Sequence, residues 1–404
     1  MDPIKLSNET DRIIEESIRK NYAWISKEKW QGYDPYDGLN SKLFQMFPFK
    51  SRLLRLCWIQ FFKRSIINFR KVAFVPKGYN HKGLALIVDG LLNFYRVDPQ
   101  SDVENDVIEL LEILEKGHIK GYSGCCWGYN FDWQSRADFK PQGTPTIVTT
   151  SFIANTFLNA YEVLGDESYL KIARSSCEFI LKDLNRTEES QTLCFSYSPV
   201  DCGIVHNANI LGAHLLSRVS IMTGEKKLIE ISNRAIDFVM KNQNQNGSWF
   251  YGNAHFHKWI DNFHTGFMLE FLFDYILYSQ RIELKQKLLL GLNYYIQNLF
   301  VDNKIPKYFA DKTYPIDIHS SAQAVITFVK LKDLHEKCQH LAKEIALWTI
   351  DNMQSIDGYF YFQKGRFLTN RIPYMRWSQA WMFRALTYLL NSNDTGNTEL
   401  DVWR

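Results

Sequence analysis

Two kinds of hydrophobic pattern alternate along the chain. One is apolar nearly all round, as in Ala208-Asn-Ile-Leu-Gly-Ala-His-Leu-Leu. The other carries a single stripe: between Lys227 and Lys241 the apolar positions Leu228, Ile231, Ala235, Phe238 and Val239 fall on one face of a helix. A helix apolar on every side must be covered on every side, whereas striped helices can form a shell around it. Gly-acid turns, Gly165-Asp-Glu and Gly224-Glu-Lys, separate the two kinds. Aromatic runs that begin at glycine, Gly247-Ser-Trp-Phe-Tyr and Gly358-Tyr-Phe-Tyr-Phe, read as short extended links from each striped helix to the next apolar one.

The pattern repeats. Polar clusters open the apolar stretches at Thr149, Val205, Asp261 and Asp317, a step of 56 residues each time. Arg376-Trp-Ser-Gln-Ala-Trp continues the series, and Tyr79-Asn-His-Lys-Gly-Leu-Ala precedes it beyond a long insertion. Six hairpins predict an all-α (α/α)6 toroid occupying residues 1–404 as one domain. Residues 1–70 form an N-terminal extension with the first helices, and 121–146 an inserted loop. An open solenoid is the alternative, although such solenoids use shorter and more numerous repeats.

Composition narrows the partners. The net charge of +3 is small for 404 residues and argues against nucleic acid, while 46% hydrophobic content is enough for a large core. Seven cysteines, odd in number and without CxxC spacing, fit a reducing cytoplasm, and no secretory signal or membrane span is visible. From Leu43 to Lys71, phenylalanines and leucines mix with Lys50, Arg52, Arg55, Lys63, Arg64, Arg70 and Lys71. This segment reads either as a first toroid helix with a solvated basic face or as a basic helix making peripheral contact with the inner face of an anionic membrane.

In a closed ring the N-terminal ends of all inner helices converge on one mouth, where free backbone N–H groups favour anionic ligands. The expected mouth residues are His206, Asn207 and Asn209, then Asp261, Asn262 and His264, then Asp317 and His319, and finally Arg376, Trp377 and Gln379. His206, His264 and His319 sit at what look like equivalent places and are the candidate proton carriers, with Asp132 and Asp261 as carboxylate partners. The plainer alternative is that about half of these positions are ordinary N-caps. The insertion adds Trp127, Tyr129, Trp133 and Arg136. It is expected either to stack on a pyranose and grip its carboxylate, with Arg376 as a second anion clamp and Trp377 as a second platform, or to plug one end of the ring. His255 and His257 alternate without a third paired ligand, so neither a metal nor another cofactor is predicted.

The hairpins, the aromatic links and the segments Tyr33-Asp-Pro-Tyr-Asp-Gly-Leu and Cys126-Trp-Gly-Tyr-Asn-Phe-Asp-Trp-Gln resemble the six-hairpin toroid proteins of surface-polysaccharide gene clusters. That resemblance, which covers nearly the whole chain, implies sugar chemistry of epimerase, lyase or glycoside hydrolase type without choosing among them. A second resemblance lies in Arg234 to Trp249, where Gln243, Gly247 and Trp249 match the QW repeat of squalene-type terpene cyclases and Gln354, Gly358 and Phe360 echo it. It implies helix-tying residues in a toroid. The DxDD protonating motif of those cyclases is absent, as is the Asp, Cys and His set that binds zinc in protein prenyltransferases.

Three functions therefore stand at this point. The first is acid-base chemistry on a glycan or lipid-linked sugar in polysaccharide assembly. The second is an isoprenoid-binding or isoprenoid-converting toroid, and the third a non-catalytic glycan-binding subunit.

Overall fold

The computed structural model describes residues 9–47, 51–97, 102–136 and 138–392. In chain order the helices are α1 (Glu9–Lys27), α2 (Lys42–Gln45), α3 (Arg52–Arg64), α4 (His81–Val97), α5 (Glu104–Lys116), α6 (Ile147–Leu164) and α7 (Glu167–Lys182). They continue with α8 (His206–Thr223), α9 (Lys226–Lys241), α10 (Asn262–Ser279), α11 (Lys285–Asn298), α12 (Ile318–Lys330), α13 (Cys338–Met353) and α14 (Trp381–Asn391). A π-helical turn, Met375–Ala380, leads directly into α14.

The inner helices α4, α6, α8, α10, α12 and α14 pack in that order, and α14 returns to α4, so the ring is closed rather than an open solenoid. Helices α5, α7, α9, α11 and α13 each pack outside the inner helix that precedes them. The sixth outer position is filled by α1, which packs on α13 and α14 from the other end of the chain. The hydrophobic patterns explain the layers: every residue of α8 from His206 to Ser220 is buried, whereas the striped α9 buries Leu228, Ala235, Ile236, Phe238 and Val239.

Local chemistry sets the ends of the hairpins. Gly165 and Gly224 close α6 and α8 in the left-handed conformation, with φ of 76° and 75°, which lets the chain reverse at once into the outer helix. The glutamines of the QW-like motifs are indeed ties. Gln243 donates to the Gly247 and Lys287 carbonyls at 3.0 and 2.9 Å, linking the end of α9 to α11. Gln354 accepts from the Ser17 hydroxyl at 2.8 Å and donates to the Ser17 carbonyl at 3.0 Å, joining α13 to α1.

Two expectations need correction. Residues 43–71 do not supply a toroid helix: the first inner helix is α4, and outside the ring α3 lies against the inserted loop and α2 against the turn Asp37–Asn40. Phe49 and Lys50 of that segment lie outside the described residues. The 56-residue step also slips at its first copy, because the cap of α6 is Thr146, three residues before Thr149.

Candidate functional site

The second residue of each inner helix, or of the turn that opens α14, faces a single cavity of about 520 Å³ at the N-terminal end of the ring: Lys82, Val148, Asn207, Phe263, His319 and Arg376. The third residues His264 and Trp377 join them. This regularity follows from helix geometry, since successive residues turn about 100° and only one or two positions of a first turn can point along the ring axis. The histidines that looked equivalent are therefore not. His206 is first in its helix, His319 second and His264 third.

His206 points away from the cavity and is held between the Phe250 carbonyl at 2.8 Å and the Asn253 side chain at 2.9 Å. His264 lies on the wall. Its Nδ1 is 2.7 Å from Asp261 Oδ2, and the same carboxylate caps the helix by accepting from the His264 backbone N–H at 2.9 Å. Asp261 is thus both an N-cap and the orienting partner of the imidazole, a pairing that leaves Nε2 as the basic nitrogen. His319 stacks between Phe263 and Trp381, with ring centroids 4.4 Å from each, and neither of its ring nitrogens has a hydrogen-bond partner. Burial, with Lys82, Arg376 and His264 nearby, holds its imidazole well below the usual histidine range, so it is neutral.

Lys82 belongs to one of the six copies, Tyr79-Asn-His-Lys-Gly-Leu-Ala, but is not among the mouth residues that the sequence predicts. Its ammonium sits over the rings of Phe152, Trp381 and Phe267 at 3.9, 5.4 and 5.7 Å from their centroids, and no carboxylate among the described residues pairs with it. Burial, reinforced by Arg376 and Arg384, pushes its ammonium well below the ordinary lysine range. Arg376 is different: Asp34 grips it at 2.6 and 2.9 Å, so the second anion clamp is already occupied by the chain itself. Asp34 and Asp37 come from the Tyr33-Asp-Pro-Tyr-Asp-Gly-Leu segment, and Asp37 in turn holds the buried Arg70 at 2.7 Å.

The inserted loop roofs the cavity with Tyr129, Trp133 and Arg136, and α3 adds Leu56, Ile59, Gln60 and Lys63. Arg55 of α3 donates to Gln134 at 2.8 Å, and Arg52 donates to the Arg136 carbonyl, so helix and loop form one cover. Tyr36, Tyr197, Tyr251, Tyr308 and Trp259 complete an aromatic lining that the sequence reading had not selected. His257 also faces the cavity.

Several expected residues lie elsewhere for identifiable reasons. Trp127 is fully buried and donates to the Leu114 carbonyl at 2.8 Å, as a core anchor of the loop rather than a platform. Asp132 accepts from the Gln142 backbone at 2.7 Å and shapes the loop. Asn209 is spent on the Leu193 and Ala235 carbonyls at 3.1 and 3.0 Å, and Gln379 on Asn21 and the Phe360 backbone. Asp317 lies behind the wall, where it accepts from Trp377 Nε1 at 2.9 Å and Gln363 at 2.7 Å; burial nevertheless raises its carboxyl to about 6.

The cavity is electropositive. Lys63, Lys82, Arg136, Lys312 and Arg376 line it, Arg376 already paired with Asp34, and Asp311 is the one carboxylate among the described lining residues. Unpartnered polar atoms also face it, namely both His319 nitrogens and Asn207 Oδ1.

No protein-family model matches the chain, and no curated protein sequence is similar to it. Solved structures share its fold. An unsaturated glucuronyl hydrolase from Bacillus sp. GL1 is similar with a TM-score of 0.62 at 10% identity, over 94% of this chain and 96% of that one. A cellobiose 2-epimerase from Bacillus thermoamylovorans gives 0.61 at 12% identity, over 78% and 88%. A GH76 α-mannanase from Bacteroides thetaiotaomicron gives 0.60 at 10% identity, over 78% and 86%. The chain therefore has the (α/α)6 toroid fold of these enzymes.

Proposed function

We propose that this toroid acts on a glycan or lipid-linked sugar that carries an anionic group, and that it moves a proton on that sugar in an epimerase- or lyase-type reaction. The observation that carries the reading is the Asp261–His264 pair on the wall of an electropositive cavity that also contains the neutral, unpartnered His319. The similar structures are enzymes named for sugar substrates, which supports a carbohydrate as the ligand class.

His264, oriented by Asp261, takes a proton from the carbon beside the sugar's anionic or carbonyl group. Lys82, whose weakened hold on its proton an anionic ligand restores, stabilises the charge that develops on the oxygens. Return of a proton to the opposite side of that carbon gives the epimer; departure of the neighbouring oxygen substituent, with a proton, gives the unsaturated sugar. His319 and His264 flank the ring of Phe263, at 4.4 and 4.2 Å, so a second, neutral imidazole lies within the site, and the proton returned to the opposite side comes from solvent water. Hydrolysis by two carboxylates is less well served, because Asp311 alone faces the cavity. An isoprenoid chain finds lysines, arginines and several unpartnered polar atoms where it needs hydrocarbon. The seven free cysteines support the cytoplasm as the compartment.

The test is solvent exchange. The purified chain is incubated in D2O with uronic-acid oligosaccharides, neutral oligosaccharides and polyprenyl phosphate, and deuterium at carbon is followed by NMR. Exchange confined to the uronic acids and absent in His264→Gln is the expected result. Binding of polyprenyl phosphate alone overturns the reading in favour of the isoprenoid one, and sugar binding without exchange or turnover reduces the protein to a glycan-binding subunit.

A further inference from the structure

The roof of the cavity has an outer side. Helix α3 turns Leu56, Ile59, Gln60 and Lys63 toward the cavity and leaves Leu53, Cys57, Phe61 and Arg64 exposed on the opposite face. Of the twenty exposed large hydrophobic residues among those described, nine fall between Leu43 and Phe74, far more than that short segment's share of the chain. Met46 is 78% exposed, Leu53 71% and Val72 70%. The Gln363–Lys364 and Thr369–Asn370 hairpin extends the same surface: Asn370 donates to the Ser65 carbonyl at 2.9 Å, and the hairpin tip carries Phe367 and Leu368, 87% and 65% exposed. Ring contacts between Phe47 and Trp58 and between Trp58 and Phe61, with the backbone bond from Lys42 to the Phe74 carbonyl, make the patch continuous.

Charge identifies the occupant. From residue 38 to residue 88 the chain holds ten lysines and arginines and no aspartate or glutamate, although its overall net charge is only +3. Lys63 and Lys82 face the cavity, Arg70 is buried and Lys77 is paired with Glu28, while Lys42, Arg52, Arg64 and Lys71 lie exposed around the apolar side chains. Isolated exposed apolar residues are ordinary, but a continuous apolar patch ringed by cations of one sign matches the acyl boundary and headgroups of an anionic bilayer. No helix among the described residues is long and apolar enough to cross a membrane, so contact at the surface is the mode that fits.

We propose that the outer face of α2 and α3, the 65–74 loop and the tip of the 363–370 hairpin form a docking surface for an anionic lipid bilayer. Because the inner face of α3 lines the cavity, docking sets the mouth at the membrane surface, where a lipid-linked or membrane-bound glycan presents its sugar. The inference deepens the functional reading and rests on it only for what the cavity receives.

Vesicle sedimentation with the full chain tests it without any sugar. Vesicles of phosphatidylcholine alone are compared with vesicles containing phosphatidylglycerol, in low and high salt. The chain is expected to sediment with the anionic vesicles, less so in high salt. Leu53→Glu combined with Phe74→Glu should lower the bound fraction about tenfold or more. Ile221→Glu, an exposed apolar residue at the opposite end of the ring, should leave it unchanged. Circular dichroism establishes that each variant is folded. Failure of the wild-type chain to bind anionic vesicles, or equal loss with Ile221→Glu, overturns the docking surface and leaves a protein partner as the occupant of the patch. Neither result touches the solvent-exchange assay, which contains no lipid vesicles.

Discussion

The toroid has a cavity at each end, of about 520 Å³ at the mouth and about 530 Å³ where the inner helices finish, and each contains a histidine beside an aspartate. The far cavity is lined by five acids, five lysines and arginines and His214, and most of these charges are paired, although both His214 ring nitrogens, Arg218 Nε and Arg384 Nη1 have no hydrogen-bond partner among the described residues. Arg384 bridges Asp89 and Glu270 at 3.3 and 3.1 Å, Lys330 meets Asp274 at 2.5 Å, and Arg218 meets Glu162 at 2.8 Å. Burial works against the Asp274 carboxylate, yet Lys330 and His214 hold it below its ordinary range. At the mouth the balance is broken in favour of cations, and Lys82 and His319 are left without partners. Buried charges that satisfy one another are part of the scaffold, whereas buried polar groups left open in a cavity are groups a ligand can satisfy.

The sharpest contrast is between the two histidines. His264→Gln should lower turnover about 10²- to 10⁴-fold with little change in melting temperature, while His214→Gln should leave turnover near wild type and reduce stability; steady-state rates beside thermal melts decide. Asp261→Asn should give an intermediate loss of about 10- to 100-fold, because it disturbs only the orientation of His264.

Charge removal should then have opposite signs at the two ends. Arg384→Met strands Glu270 and Asp89 and should cost about 3–5 kcal/mol in denaturant unfolding. Lys82→Met removes an ammonium that has no partner and should raise stability by about 1 kcal/mol or more, while weakening binding of anionic sugars. A destabilised Lys82→Met would erase the distinction drawn here.

The gentlest test is pH. Burial lowers the imidazoles of His81, His206, His214 and His319 below their ordinary value. At these four groups the unfolded chain takes up protons, from about pH 6.5 downward, that the folded chain refuses, so stability falls as pH falls through that window. Asp37 and Asp317, whose buried carboxyls are raised to about 6, make a smaller contribution of opposite sign. Melting temperature should decline from pH 7.5 to pH 5, and His214→Gln should flatten the slope.

The ring itself was legible because burial leaves a periodic trace: six apolar stretches, each followed by a striped one, can hardly be arranged except as an inner and an outer layer. The site was legible only to within a turn of helix. Sequence spacing put His206, His264 and His319 on one footing, but a one-residue offset turns a side chain by about 100°, and the offsets depend on where each cap falls. Trp127 and Trp133 show the same limit: both are aromatic and six residues apart, yet one anchors the loop and the other faces the cavity. Lys82 was hidden because nothing in its neighbourhood reveals that the surrounding acids all belong to other partners.

Closure of the ring depends on contacts such as Ser17 with Gln354 and Asn21 with Gln379, residues 337 and 358 positions apart. During synthesis, a ribosome that has made the first five inner helices holds an arc that still lacks Arg376 and Trp377 from its mouth. The pocket has no partial version. Ligand binding by a nascent or truncated chain would thus report whether the seam has formed, and a purification step on an immobilised ligand of the cavity would select closed rings from open ones.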